Sequence, residues 1–189
     1  MSVEAWLYHF SEDPSIRHFI PHIPATNPTQ PASVWAIDEA HAPLYWFPRD
    51  CPRATVWAET PEQQRRLTRE FSTPAARLHA IEESWIDRVR SCALYVYRFD
   101  ATPFAPWPEA DGQWVAHEAV EPIDVQRVGD PFECHRERGI ELRVVGNLWP
   151  LVDQIVESKL PFSIVRIRNA TPRATRPNHV PEILDQAGP

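Results

Sequence analysis

Proline outnumbers glycine by 21 to five along these 189 residues, and no other feature limits the fold as much. Proline holds φ near about −65° and lacks a backbone N–H, so it suits turns and first helical turns and breaks helix and sheet interiors. Most of the prolines fall between apolar runs, which predicts short elements joined by rigid connections. At 43% hydrophobic residues the chain can bury one real core and is short for two typical domains. A single domain over residues 1–170 is therefore expected, followed by a Pro-rich tail over 171–189 that loses apolar periodicity.

A formal charge of −7 and a pI of about 5.6 oppose sequence-independent binding to phosphate backbones, which Lys and Arg drive by releasing counterions. Lys159 is the only lysine, so positive charge is almost all guanidinium, as a compositional bias would also produce. Arg166, Arg168, Arg173 and Arg176 read as a solvated face. Cys51, Cys92 and Cys134 are odd in number and widely spaced, with no pair that suggests zinc, a redox motif or a disulfide framework. Residues 1–10 lack a basic region followed by an apolar run, and no later stretch approaches a membrane span. A cytoplasmic protein without a membrane partner is the expectation.

Along the chain, Trp6–Phe10 reads as a strand, and Asp13 with Pro14 opens a helix that must stop before Pro21. Residues 21–31 hold four prolines in a polar loop long enough to act as a lid. Val34–Ile37 is a second strand, Asp38 caps a short helical piece through Phe47, and Ala54–Ala58 is a third strand. Thr73–Ser91 reads as the clearest helix, with Leu78, Ile81, Trp85 and Val89 on one face. Cys92–Phe99, Gln113–His117 and Ile123–Val128 read as strands. Asp130, Pro131 and Glu133 start a helix that Gly139 ends, Ile140–Val145 is a strand, Asn147 caps a helix to about Ser158, and Phe162–Ile167 closes as a strand. Helices inserted among short strands, without strict alternation, predict an α+β fold.

Three segments carry candidate chemistry. Leu7-Tyr8-His9-Phe10-Ser11 resembles the first motif of the ADP-ribosyltransferase superfamily, in which a strand-end His, a Gly and a Ser or Thr meet NAD. Val34-Trp35-Ala36 with Tyr45, eleven positions after Val34, resembles the Tyr-Phe-Ala strand and stacking Tyr of poly-ADP-ribose polymerases. Gln113-Trp114-Val115-Ala116-His117-Glu118 resembles the segment whose first residue is normally the catalytic Glu. The resemblance implies an ADP-ribosyltransferase-like core of split antiparallel β-sheets with inserted helices, and NAD as substrate. In such a site His9, Ser11, Trp35 and Tyr45 bind NAD, with Tyr45 stacked on the nicotinamide, and His9 and Gln113 stand at the catalytic positions, Gln113 bonding the ribose. End to end, the chain is also similar to a family of uncharacterised bacterial proteins, a numbered domain of unknown function, which implies no activity.

Two residues depart from the pattern. Phe10 stands where Gly is usual and hinders close approach of a ligand to the backbone unless its ring turns away. Gln113 lacks the negative charge that would stabilise an oxocarbenium-like centre, and losing one preorganised electrostatic contact typically costs about 10²–10³ in rate. A slow mono-ADP-ribosyltransferase and a non-catalytic module for a nucleotide or nucleic-acid end both fit. A third reading, a metal-dependent hydrolase, rests on His18 and His22 at i, i+4 with His9 as a third ligand, although Pro21 breaks the helix such a pair needs. Each site residue also has a structural reading. His9 suits a hydrogen-bonded strand position, Tyr45 beside Trp46 and Phe47 suits a core, and Gln113 suits an ordinary strand start.

Overall fold

A computed structural model describes residues 6–23 and 28–173, and in them the chain is a mixed α+β protein with two sheets. In chain order the elements are β1 (Trp6–Ser11), β2 (Val34–Ile37), β3 (Arg53–Trp57), α1 (Pro61–Phe71), β4 (Arg77–Glu82), α2 (Ile86–Ser91), β5 (Tyr95–Asp100), β6 (Ala105–Pro106), β7 (Gln113–Ala116), β8 (Asp124–Arg127), α3 (Pro131–Glu137), β9 (Glu141–Val145), α4 (Trp149–Ser158) and β10 (Phe162–Val165). They divide into two compact units interleaved in sequence. Unit 1 takes the residues up to Arg49 together with Cys92–Gly129, and unit 2 takes Asp50–Ser91 together with the residues from Asp130 onward.

Unit 1 is a six-stranded antiparallel sheet in the order β6-β7-β2-β1-β5-β8. Strand β1 pairs along its whole length with β5, from Trp6↔Asp100 to Ser11↔Tyr95, but with β2 only at Tyr8↔Ile37. Strand alternation sends Leu7, Val34, Ala36, Tyr97, Phe99 and Ala116 to one face, where Phe19, Phe104 and Val120 complete a buried core. Phe19 meets Tyr97 and Phe99 edge to face, with centroids 5.1 and 5.0 Å apart. Tyr8, Phe10, Trp35, Ile37 and Gln113 share the other face by the same alternation.

The helix expected after Asp13 does not form. Asp13 Oδ1 instead accepts from the Ser15 N–H at 2.8 Å and the Ser15 hydroxyl at 2.6 Å, a local turn that competes with helix nucleation. The buried Tyr97 hydroxyl then donates to the Asp13 carbonyl at 2.5 Å and accepts from the Ile16 N–H at 3.2 Å, so the segment satisfies a core tyrosine. Residues 24–27 of the expected lid, and the tail beyond Arg173 with Arg176, lie outside the described residues.

Unit 2 is a four-stranded sheet in the order β10-β3-β4-β9, antiparallel except for the parallel pair β4 and β9. Leu67 and Phe71 of α1 and Leu151, Val152 and Ile155 of α4 pack with Ala54, Val56, Leu78 and Ala80 of the sheet in one core. Each large apolar side chain buried there contributes about 1.5–3 kcal/mol. Helix α1 was not foreseen, yet its start is local chemistry: Thr60 Oγ1 accepts from Gln63 N, Gln63 Oε1 accepts from Thr60 N, both at 3.2 Å, and Pro61 takes the first helical position.

The long helix expected over Thr73–Ser91 is corrected to strand β4 followed by a 3-10 turn at Glu83–Trp85 and the short α2. Leu78 and Ile81 are both fully buried, but on opposite faces of a central strand flanked by β3 and β9. A strand covered on both faces loses its alternation, and its apolar spacing then imitates a helix. Thr73, read as the helix cap, accepts from the Ala75 N–H at 3.1 Å in a tight turn.

Two buried polar groups tie unit 2 together. Glu82, 1% exposed, accepts from the Leu148 N–H at 3.1 Å and from the Thr171 N–H and hydroxyl at 2.8 and 2.9 Å. His135 Nδ1–H donates to the Pro131 carbonyl at 2.5 Å, which leaves its Nε2 to accept from His79 Nδ1–H at 2.9 Å. Burial depresses both imidazoles below the ordinary 6.5, and for His79 the neighbouring His135, Arg77 and Arg53 add to the effect. Neutral when folded, these histidines bind protons in the unfolded chain below about pH 6.5, so their contribution is full above that pH and lost as pH falls through it. The melting temperature should fall between pH 7 and pH 5, and His79→Gln, which cannot titrate, should flatten that fall. An unchanged slope in circular-dichroism melts of the variant would overturn the assignment.

Candidate functional site

Beyond Tyr8↔Ile37, β1 and β2 part, and the imidazole of His9 reaches across: its Nδ1–H donates to the Trp35 carbonyl at 3.0 Å. At this separation a cleft of about 320 Å³, including its open mouth, is lined by Tyr8, His9, Phe10, Trp35, Ala36, Ile37, Tyr45 and Gln113.

Four of the five residues singled out in the sequence, His9, Trp35, Tyr45 and Gln113, line this cleft together, and Ser11 does not. The Ser11 hydroxyl accepts from the Asp13 N–H at 3.1 Å and so belongs to the turn after β1. Gln113 Nε2 donates to the Tyr45 hydroxyl at 3.4 Å, a long bond across 68 residues of sequence that joins the β7 start to the turn carrying Tyr45. Phe10 does not turn away from the cleft: its ring stands nearly parallel to that of Tyr45, at 10° with centroids 6.4 Å apart. A flat molecule between two rings needs about 7 Å, two contacts of roughly 3.5 Å, and rings with centroids 6.4 Å apart leave no more than that between their planes, so one of them must shift to admit it.

Among the described residues, the lining carries no carboxylate, lysine or arginine. Burial pushes His9 down from 6.5 to about 4, against the opposing pull of its bond to the Trp35 carbonyl, with Arg49 and His22 lowering it further. The imidazole is therefore neutral at pH 7, and with Nδ1 committed as donor its Nε2 keeps the lone pair. Glu118, five residues after Gln113, is exposed and outside the lining.

Sequence reasoning missed the device that positions Tyr45. Asp38 Oδ1 accepts from both the N–H and Nδ1–H of His41 at 2.8 Å, and the Asp38 N–H donates to the Gly112 carbonyl at 2.9 Å. The 3-10 turn Ala42–Tyr45 starts directly after His41, and Gln113 directly after Gly112. Gly112 has φ +76°, and a Cβ there would lie 2.2 Å from His41 Nδ1. Asp38 was read as a helix cap; its partner His41 and the glycine that admits the imidazole are visible only once the two loops meet.

For the metal reading, His18 Nδ1 lies 3.1 Å from Glu121 with both side chains exposed, and His22 pairs with Ser33 in an isolated bridge. Among the described residues, no three His, Cys, Asp or Glu side chains form a group that could hold a metal ion. No helix of the described residues is long and apolar enough to cross a membrane.

These features define an α+β protein with an aromatic cleft where two strands separate. The chain belongs to a family of unknown function, DUF6886, whose profile matches residues 8–170. No curated protein and no solved structure matches it.

Gly112→Ala should lower stability by about 2 kcal/mol or more, from the left-handed backbone and the contact with His41 together. Urea denaturation measures this, and a loss under about 0.5 kcal/mol, the usual surface effect, would show that the lock is not rigid.

Proposed function

We propose that the protein is an NAD-binding, ADP-ribosyltransferase-like protein that holds the nicotinamide end of NAD in the cleft of unit 1 and transfers ADP-ribose slowly. The observation that carries this reading is the convergence of His9, Tyr45 and Gln113, distant in sequence, on one open cleft. The pyridinium ring of NAD is cationic and flat, and aromatic faces attract such a ring without a buried counter-ion. Neutral His9 offers a hydrogen-bond acceptor to a ribose hydroxyl, and Gln113 offers its amide. The remainder of the dinucleotide extends past the open mouth of the cleft.

Transfer requires the bond from the anomeric carbon to the ring nitrogen to break, its electron pair leaving with neutral nicotinamide, while an acceptor attacks that carbon and loses a proton. The developing positive charge on the sugar meets no carboxylate in the lining, so the protein contributes mainly positioning and exclusion of water. The same absence favours a second reading, a nucleotide-binding module without transfer.

Isothermal titration with NAD beside a nicotinamide-release assay separates these: binding with slow release supports the transferase, and binding without release supports the module. Absence of binding to either NAD or nicotinamide would remove both in their NAD form. Tyr45→Ala should weaken NAD binding about tenfold, one stacking contact being worth roughly 0.5–1.5 kcal/mol, with little change in melting temperature. A large drop in melting temperature with unchanged affinity would make Tyr45 a core residue. Gln113→Glu should raise release by about 10²–10³ if chemistry occurs in this cleft, and an unchanged rate would sink the assignment of that position.

A further inference from the structure

The two strands that bound the cleft each lead to a basic residue at its open end. Past Tyr8↔Ile37, β1 runs on to Ser11 and Glu12, while β2 runs back to Val34 and Ser33. Glu12 Oε1 accepts from the Arg49 N–H at 3.1 Å, and Ser33 exchanges backbone hydrogen bonds with His22 at 3.0 and 3.2 Å. Arg49 and His22 therefore stand on opposite sides of the parting, and both are exposed. Arg49 is also tied to the aromatic wall, because it follows by four residues the Tyr45 whose ring faces Phe10.

His9 lies between them and feels their charge. Burial does most to hold its imidazole low, and the charged groups that add to this are Arg49 and then His22, both basic. Exposed charges act over roughly 10 Å at about 0.1 M salt, so the Arg49 guanidinium stands within that reach of the cleft. On a chain of formal charge −7 such a spot is built by the two strand ends and not by composition.

We infer that Arg49 is the anion-binding residue at the open end of the cleft and takes the phosphate of a ligand whose flat ring lies inside, so that the substrate class is a nucleotide and not a free base or nucleoside. A guanidinium presents its N–H donors in a planar fork that matches two phosphate oxygens. The Glu12 carboxylate, by holding the Arg49 N–H, fixes where that side chain starts. His22 adds a ring donor on the far side of the parting. This rests on the cleft receiving the ring of a nucleotide, as proposed above, but not on that ring being nicotinamide.

The test is Arg49→Gln, which removes the charge and keeps an amide donor, titrated by calorimetry with nicotinamide, nicotinamide riboside, nicotinamide mononucleotide, NAD and AMP. Each phosphate-bearing probe that the wild type binds should bind the variant about tenfold more weakly, or about 1.4 kcal/mol. Nicotinamide should bind both proteins equally, and the riboside, a cation without a phosphate, should hold or gain affinity. Equal affinity of both proteins for the mononucleotide and NAD overturns the role of Arg49 and leaves the NAD reading standing. So does an equal loss for riboside and mononucleotide, since Arg49 would then shape the cleft without meeting the phosphate. Binding of AMP alone, dependent on Arg49, upholds this inference and removes the NAD reading. Failure of all five probes overturns both. Should the variant not fold, salt screens the same charge in the wild type: raising sodium chloride from about 0.05 to about 0.5 M should weaken the mononucleotide several-fold and leave nicotinamide unchanged. The same response for both ligands overturns the inference.

Discussion

The bond from His9 Nδ1–H to the Trp35 carbonyl is the contact on which the site depends. An antiparallel ladder pairs backbone with backbone across about 5 Å, and an imidazole inserted in that role holds two strands further apart. Strands β1 and β2 accordingly pair at one position and then separate, while β1 stays fully paired with β5 on its other side. The sheet remains continuous and cohesive, yet opens where His9 stands. The same bond fixes the imidazole tautomer and, by fixing the Trp35 backbone, sets where the indole sits.

A cleft lined by aromatic and uncharged side chains recognises by shape and stacking, with a few polar atoms setting orientation. Its walls are rigid for different reasons. Tyr8, Phe10, Trp35 and Ile37 stand on paired strands above a core of Leu7, Val34, Tyr97 and Phe99. Tyr45 stands on a short turn, which would be loose without the Asp38–His41 pair and the Gly112 backbone beneath it. Preorganisation of this kind lowers the entropy lost on binding. It does not create charge, and among the described residues the lining contains none to stabilise a cationic transition state.

Much of the fold was legible in the sequence because local signals agreed with tertiary demand. Strands β1, β2, β3, β7, β8 and β9 fall where apolar and β-branched runs lie, and α3 and α4 where Asp130-Pro131 and Asn147 announce them. Two failures have opposite causes. Helix α1 buries only Leu67 and Phe71, so it shows little apolar periodicity, and its Thr60-Pro61-Glu62-Gln63 start was the readable sign. Strand β4 is buried on both faces, so its run over Leu78–Ile81 is compatible with either period, and only pairing with β9, more than 60 residues later, decides. At the site, the polar and aromatic side chains could be picked out by type. That Ser11 turns away while Phe10 faces Tyr45 could not.

By itself the sequence determined the element types, the proline-stiffened connections and the residues able to take part in a site, because caps, turns and strand alternation act over a few residues. The tertiary structure alone decided the split of β1 from β2, the meeting of Tyr45 with Gln113, and the fit of His41 against Gly112. Each of these depends on bringing together groups tens of residues apart, and such contacts are selected by burial and pairing across the whole unit, for which no short stretch of sequence carries the information.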